Sequence, residues 1–308
     1  MSSSQGFRRP PTRRRLFVGA AAVAAGVAVG AWLLTSGAAR HARVSVAGRT
    51  EITARQLRAG RRGSTGGVSG HASVASVVLA RENAAIDRLL ARQPFISSGG
   101  SERREIALTF DDGPGPYTPQ LLNQLARLHT PATFFEIGFM FRWFYPSAIR
   151  ELRAGDVIGD HTETHPMMAL LPSSAQQSQI VDQTQWVRRY GGPFPRLWRP
   201  PYGSYNATTL RILKRLRMLM VLWTVDTNDY RLPGVQAIVH SAVAGARPGA
   251  IILLHDAGGN RSETVAALPM IIAALRARGY RFVTVPRLLN DNPPSPDQQI
   301  SSVIGAGG

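Results

Sequence analysis

From residue 105 onward, the hydrophobic positions fall into short apolar runs separated by longer amphipathic stretches. The apolar runs have the length of strands and occur at residues 106–110, 132–137, 156–160, 197–200, 218–225, 250–254 and 282–285. The helix-like stretches lie between them, at about 119–129, 145–154, 174–190, 206–216, 234–245 and 264–278. Strands that alternate with helices imply parallel strands joined by crossover connections. Several runs are apolar throughout, which is typical of strands buried on both faces.

Seven strands in this order predict an α/β barrel or an incomplete version of one, with an open doubly wound sheet as the alternative. Polar residues stand where five of the runs end: Asp111 and Asp112, then His161, Arg199, Asp226 and His255. The carboxyl ends of barrel strands meet at one rim, where the active sites of such folds are built. We therefore expect these side chains to lie close together.

The N-terminal segment has a different character. The basic residues Arg13–Arg15 precede an uncharged apolar run from Leu16 to Leu34. This arrangement is typical of an export signal, and the paired arginines resemble the twin-arginine type. We expect residues 1–39 to be a signal peptide. The apolar run is also close to bilayer-spanning length, so a membrane anchor formed by residues 16–34 is the alternative.

The remaining parts of the chain flank the strand-rich region. Residues 40–104 contain an Arg-, Gly- and Ser-rich linker, and the apolar spacing predicts one extra helix near residues 73–92. We assign residues 105–289 to the catalytic domain. The tail, residues 290–308, is rich in Pro, Ser and Gly and is expected to be disordered.

Charge is distributed unevenly along the 308 residues. The formal net charge is +17, but residues 1–62 contain twelve Arg and a single acid, Glu51, and so account for +11 of it. A nucleic-acid-binding domain concentrates positive charge on its folded surface. Because most of the charge lies in the N-terminal segment, we expect no nucleic-acid partner.

The sequence has no cysteine, so a metal site must use His and carboxylate ligands. His161 and His165, at positions i and i+4, would lie on one face of a helical turn and could share a metal with Asp112. A His₂-carboxylate set is an open catalytic site, and zinc in such a site lowers the pKa of bound water to about 7. Thr162 stands where a zinc protease carries its general base, which argues against a protease.

Three further segments carry candidate chemistry. In the first, Arg199 could orient Asp111, and the backbone N–H of Tyr202 could donate to an oxyanion. The second offers two carboxylates and an aromatic ring for a sugar: Asp226, Asp229 and Tyr230. In the third, His255 suits a general acid. Leu253 points to the same side as His255 and could contact an acetyl methyl group. Each segment alone also fits an ordinary structural turn or core position.

Taken together and in this order, these segments resemble the polysaccharide deacetylase (NodB-homology) domain of carbohydrate esterase family 4. The resemblance covers about residues 105–289 and rests on four segments: Thr-Phe-Asp-Asp-Gly-Pro, His-Thr-x-x-His, Arg-Pro-Pro-Tyr-Gly and Leu-Leu-His-Asp. It implies a distorted (β/α)₇ barrel. It also implies a divalent metal, most simply Zn²⁺, with Co²⁺ or Mn²⁺ as alternatives.

The resemblance also implies roles for single residues. Asp112, His161 and His165 would be the metal ligands, and Asp111 would be the catalytic base. His255 would protonate the leaving amine, and Arg199 would hold Asp111. The family pattern Asp-x-x-Asp-Trp reads Asp226 to Tyr230 here, with Tyr in the place of Trp. We favour Asp229 as the partner of His255 and keep Asp226 as the alternative.

The expected function is therefore removal of N-acetyl groups from an N-acetylglucosamine polymer, either peptidoglycan or a chitin-like chain, in the cell envelope or outside the cell. O-deacetylation of a polysaccharide such as xylan is a second possibility, and deacylation of a lipid-linked amino sugar is a third. A catalytically silent carbohydrate-binding module is disfavoured because every ligand and Asp111 are present.

Overall fold

The structure, a computed structural model, describes residues 73–296 and residue 298. The signal or anchor segment and most of the linker lie outside the described residues. The strands are β1 (Phe95–Ile96), β2 (Glu105–Asp111), β3 (Thr133–Glu136), β4 (Val157–Asp160), β5 (Leu197–Trp198), β6 (Leu219–Val221), β7 (Val225–Asp226), β8 (Ile251–His255) and β9 (Arg281–Phe282). The helices are α1 (Val74–Leu90), α2 (Thr118–Arg127), α3 (Phe141–Ala154), α4 (Ser173–Arg189), α5 (Ala207–Leu216), α6 (Val235–Gly245), α7 (Ser262–Ala277) and α8 (Val285–Asp291).

The strands form one curled parallel sheet in the order β1-β6-β5-β4-β3-β2-β8-β7, and β9 pairs with β2. Strands β2 to β6 are neighbours in sequence order, whereas β8 lies on the other side of β2 with β7 beyond it. This is the order of a seven-stranded barrel that is open between β6 and β7, where β1 adds to β6 instead. The predicted distorted (β/α)₇ barrel is confirmed, and the open doubly wound sheet is not the architecture.

The prediction of a single strand at 218–225 is wrong, because the structure divides this run into β6 and β7. The reason is a change of partner along the chain. Leu222 N–H still donates to the Ile96 carbonyl of β1 (2.8 Å), but Thr224 N–H donates to the Ile251 carbonyl of β8 (2.9 Å). The chain therefore crosses the gap in the barrel within this apolar run. The run at 282–285 likewise ends early as a strand, and α8 begins at Val285.

The alternation of side chains along β2 divides the core into two layers. Ile106, Leu108 and Phe110 pack outward against α2, α6 and α7. Ala107 points into the barrel and belongs to a second cluster that includes residues of α1 and α8. These two helices close the amino end of the barrel, so the inward-pointing residues at the carboxyl ends, such as Asp111, face the opposite rim.

The helix predicted near residues 73–92 corresponds to α1. The tail was predicted to begin at residue 290, which falls inside α8. The described residues beyond α8 still make hydrogen bonds to the segment before β2. Asn292 is buried and its side-chain amide donates to the Gly100 carbonyl (2.6 Å), while the Gln298 amide donates to the Ser98 carbonyl (2.9 Å). None of the helices in the described residues is both long enough and apolar enough to cross a bilayer.

Candidate active site

A cleft of about 640 Å³ opens at the rim where the carboxyl ends of the strands meet. Most of the residues that the sequence singled out line it: Asp111, Asp112, His161, His165, Tyr202, Asp226, Tyr230, Leu253 and His255. Arg199 and Asp229 lie directly behind this lining and are fully buried. The strand ends thus bring together every candidate residue, either in the wall of the cleft or in contact with it.

Asp112, His161 and His165 meet at one point of the cleft. Asp112 Oδ1 lies 3.6 Å from His161 Nε2 and 3.2 Å from His165 Nε2. One ligand atom from each residue falls within 4.8 Å of the others. Asp112 Oδ1 is buried without a hydrogen-bond partner in the described structure. An unpartnered carboxylate oxygen facing two imidazole nitrogens fits a divalent cation, since buried polar atoms otherwise find a hydrogen bond.

A loop, and not the predicted helical turn, brings the two histidines together. His161 directly follows β4, and left-handed φ angles at Thr162 (72°) and His165 (59°) turn the chain back. Asp160 Oδ1 accepts from Thr162 N–H (2.7 Å), and Thr162 Oγ1 accepts from His165 N–H (3.0 Å). These side-chain hydrogen bonds compete with helical hydrogen bonding, so the two histidines meet in a loop and not on one face of a helix.

The protonation states of these ligands suit a cation. The Arg199 carbonyl lies 2.8 Å from His161 Nδ1, which fixes the proton there and leaves Nε2 with a free electron pair. Burial lowers the pKa of His161 well below its usual value. Burial alone would raise the pKa of Asp112, but His165 and the other neighbouring histidines outweigh it and hold that pKa low. The electrostatics therefore favour a neutral His161 imidazole beside an ionised Asp112 carboxylate.

Asp111 is held apart from its neighbour by an arginine. Arg199 Nη1 donates to Asp111 Oδ1 at 2.7 Å, while Asp111 Oδ2 lies 3.7 Å from His161 Nε2. The guanidinium also donates to Thr109 Oγ1 (2.9 Å) and stacks 4.1 Å from the centre of the Phe135 ring. Burial raises the pKa of Asp111 to about 6, against the opposing charge of Arg199. One oxygen of Asp111 is thus fixed, and the other faces the cleft.

His255 is paired with Asp229 on the other side of the cleft. His255 Nδ1 lies 2.7 Å from Asp229 Oδ1, and His255 N–H donates to Asp229 Oδ2 (2.8 Å). Thr264 Oγ1 also donates to Asp229 Oδ2 (2.8 Å). Burial alone would lower the pKa of His255, but Asp229 outweighs it and raises that pKa to about 9. Asp226 instead accepts from Asn228 N–H (2.8 Å), so the structure pairs His255 with Asp229.

Two partly exposed tyrosines and a buried leucine, Leu253, line the cleft. Tyr202 is two-thirds exposed, has a left-handed φ of 58° and places its ring 4.5 Å from that of His165. The Tyr230 ring lies 5.2 Å from that of His255, and its hydroxyl is 3.4 Å from Asp226 Oδ2. Leu253 is buried two residues before His255 on β8. The polar candidate residues therefore share the cleft with one apolar side chain and two aromatic rings.

The sequence prediction missed part of the cleft wall. Ile137, Trp223, Gly258 and Arg261 also line it. The only signal for the last two is the stretch Gly-Gly-Asn-Arg shortly after His255 and Asp256. Consecutive glycines after a strand end indicate a backbone that must adopt positive φ or approach another group closely.

Comparisons with known proteins identify relatives of this chain. Residues 98–221 match the family model described as polysaccharide deacetylase. A peptidoglycan-N-acetylglucosamine deacetylase of Bacillus cereus is 41% identical over 188 residues, 60% of this chain and 87% of the relative. A chitooligosaccharide deacetylase of Rhizobium leguminosarum bv. trifolii is 36% identical over 207 residues, 63% of this chain and 95% of the relative. The crystal structure of the Bc1960 peptidoglycan N-acetylglucosamine deacetylase superposes with a TM-score of 0.63 at 32% identity, covering 67% of this chain and 97% of that one.

Proposed function

Because the chain belongs to the polysaccharide deacetylase family, we propose that it hydrolyses the N-acetyl groups of an N-acetylglucosamine polymer, such as peptidoglycan or a chitin-like chain. The observation that carries this proposal is the convergence of Asp112, His161 and His165 beside Asp111 and His255 in one cleft. The products would be acetate and a free amine on the sugar.

The cation of this site would be held by Asp112, His161 and His165. The donor set of two imidazoles and one carboxylate suits Zn²⁺, with Co²⁺ or Mn²⁺ as substitutes. When bound, such a cation would supply Lewis-acid polarisation of the acetyl carbonyl and lower the pKa of a coordinated water. The unpartnered Asp112 Oδ1 supports this assignment.

Asp111 and His255 would carry the two proton transfers. Asp111 Oδ2 would accept a proton from the water that attacks the acetyl carbonyl, while Arg199 holds the other oxygen. His255, kept protonated by Asp229, would donate a proton to the amide nitrogen as the C–N bond breaks. The backbone N–H of Tyr202 would donate to the oxyanion. Each proton thus has a donor or acceptor on a different wall of the cleft.

The remaining cleft residues would position the substrate. Leu253 offers an apolar surface for the acetyl methyl group, and the Tyr230 ring offers a face for a sugar. The relatives named as peptidoglycan deacetylases act on a wall polymer, and the N-terminal pattern of residues 1–39 is that of an export signal. We therefore propose an exported enzyme of the cell envelope or the extracellular space.

Acetate release from a panel of substrates tests the proposed bond. The full chain, reconstituted with Zn²⁺, is expected to release acetate from chito-oligosaccharides or peptidoglycan at least about tenfold faster than from acetylated xylan. His255 would give the amide nitrogen the proton that it must receive to leave, so the amide can react despite its poorer leaving group. The preference over xylan would come from the fit of the N-acetylglucosamine unit in the cleft. Faster release from the xylan ester would overturn the amide assignment.

The pairing of His255 with Asp229 predicts a pH effect. Besides Asp229, the charged groups that face His255 are Asp111 and Asp112. Because Asp229 raises the pKa of His255, Asp229→Asn should lower that pKa, so the protonated acid is lost at a lower pH. We expect the alkaline limb of the kcat/KM profile to move down by about one unit or more, since losing a charged hydrogen bond of this kind changes the pKa by at least that much.

Asp226→Asn is the matched control for this experiment, because it removes a neighbouring carboxylate of the same segment that does not bond His255. Its alkaline limb should stay in place. A bound cation would lower the pKa of His255 in the original chain and in both variants, so the comparison between them is unaffected. Equal shifts in the two variants, or a shift in Asp226→Asn alone, would contradict the assignment of Asp229 as the partner.

A further inference from the structure

A short loop between β8 and α7 is held together by one buried arginine. Arg261 is 4% exposed. Its guanidinium donates to three backbone carbonyls of the loop, those of Ala257 (2.6 Å), Asn260 (2.9 Å) and Gly258 (3.0 Å). Within residues 73–296, it forms no ion pair with a carboxylate. A buried cation whose hydrogen bonds all go to one loop serves to fix the path of that loop.

The loop is anchored at both ends to the rest of the site. Asp256 N–H donates to the Asp111 carbonyl (3.2 Å), which joins the start of the loop to the end of β2. At the other end, Arg261 precedes the first residue of α7, and its carbonyl accepts from Val265 N–H (2.9 Å). The Asn260 side chain accepts from the Tyr117 hydroxyl (2.9 Å). The carbonyls that Arg261 binds therefore lie in a segment with fixed ends.

The middle of this loop touches the carboxylate of Asp112. Gly258 has a left-handed φ of 73°, and a Cβ atom at this position would overlap Asp112 Oδ2. The backbone of Gly258 is thus a wall against one oxygen of Asp112, while the other oxygen, Oδ1, faces His161 and His165. Any outward movement of the loop would free the Asp112 carboxylate to rotate away from the histidines.

We propose that Arg261 is a positioning residue for the metal site: by binding three carbonyls it keeps Gly258 against Asp112, which keeps Oδ1 turned toward His161 and His165. This inference rests on the proposed metal-dependent function but does not depend on the substrate. Residues that orient a metal ligand without touching the metal change metal affinity by about 10–100-fold when they are replaced.

Metal binding measured directly tests this role. The full chain and its Arg261→Gln variant would be titrated with Zn²⁺ against a chromogenic chelator, and the visible spectrum of bound Co²⁺ would be recorded for both. We expect the Zn²⁺ dissociation constant of Arg261→Gln to rise about 10–100-fold and its Co²⁺ bands to shift, because the geometry of the ligand set changes. Gly258→Ala, which pushes directly on Asp112 Oδ2, should change both readouts in the same direction.

Arg276→Gln is the matched control, since Arg276 also donates to backbone carbonyls, those of Leu128 (2.6 Å) and His129 (3.2 Å), but away from the cleft. It should keep the Zn²⁺ affinity and Co²⁺ spectrum of the original chain. Unchanged affinity and spectrum in a folded Arg261→Gln variant would overturn the proposal. If that variant does not fold, unchanged values in Gly258→Ala overturn it instead. Absence of Zn²⁺ binding by the original chain would refute the proposed function itself.

Discussion

Replacing Asp111 with Asn is expected to lower kcat by about 10²–10⁴-fold, the usual contribution of a general base. The amide keeps the shape of the side chain and an oxygen that can accept from Arg199 Nη1, so the position of the group is retained. It cannot take a proton from the attacking water. The measurement is the rate of acetate release from a chito-oligosaccharide at saturating substrate. KM should change little, because the sugar contacts are untouched.

A lower kcat caused by loss of the base must be distinguished from one caused by unfolding of the variant. The Asp111–Arg199 pair is buried, so the free energy of unfolding of the variant should be compared with that of the original chain by urea unfolding. Asp182→Asn is a suitable control, because Asp182 is an exposed acid on α4. A folded Asp111→Asn variant with undiminished turnover would contradict the assignment of Asp111 as the base.

Removing the cation is expected to lower the rate of acetate release at least as much as Asp111→Asn does. Dialysis against a strong chelator should reduce acetate release by about 10³-fold or more, because several kcal/mol of transition-state stabilisation are lost. Addition of Zn²⁺ should restore it. Replacing Asp112 with Ala should give the same loss without recovery at stoichiometric Zn²⁺, since one of the three ligand atoms is then missing.

Two outcomes would contradict the metal assignment. Full activity after exhaustive chelation, with metal content confirmed by elemental analysis, would exclude a metal-dependent reaction. Full recovery of Asp112→Ala by stoichiometric Zn²⁺ would show that the cation is held by other residues. The chelated original chain should remain folded, because its core clusters do not depend on the site.

The hydrophobic pattern predicted parallel strands that alternate with helices and the rim where the site lies, and the family resemblance favoured the barrel over the open sheet. Buried runs that end in Asp111, His161 and His255 can only place those residues at one rim once the strands are parallel. The candidate metal ligands also followed from residue type and spacing, because a chain without cysteine has few alternatives.

Other features depend on tertiary contacts that no local pattern records. The choice between Asp226 and Asp229 is made by a hydrogen bond to β8, 26 residues away in the chain. The division of the run at 218–225 results from a gap in the barrel. The loop between the two histidines is stabilised by Asp160 and Thr162 side chains instead of helical hydrogen bonds. Arg261 binds only backbone carbonyls, which every residue carries, so its role left almost no trace in the sequence.

We propose a division of labour between two adjacent carboxylates, in which Asp112 binds the metal and Asp111 transfers the proton. Calorimetric titration of Zn²⁺ into Asp111→Asn and Asp112→Asn tests it most directly, because it measures the metal site without relying on turnover. We expect Asp111→Asn to bind one equivalent of Zn²⁺ with an affinity close to that of the original chain, and Asp112→Asn to bind at least about 10-fold more weakly. Tight binding by Asp112→Asn, or loss of binding in Asp111→Asn alone, would contradict the claim.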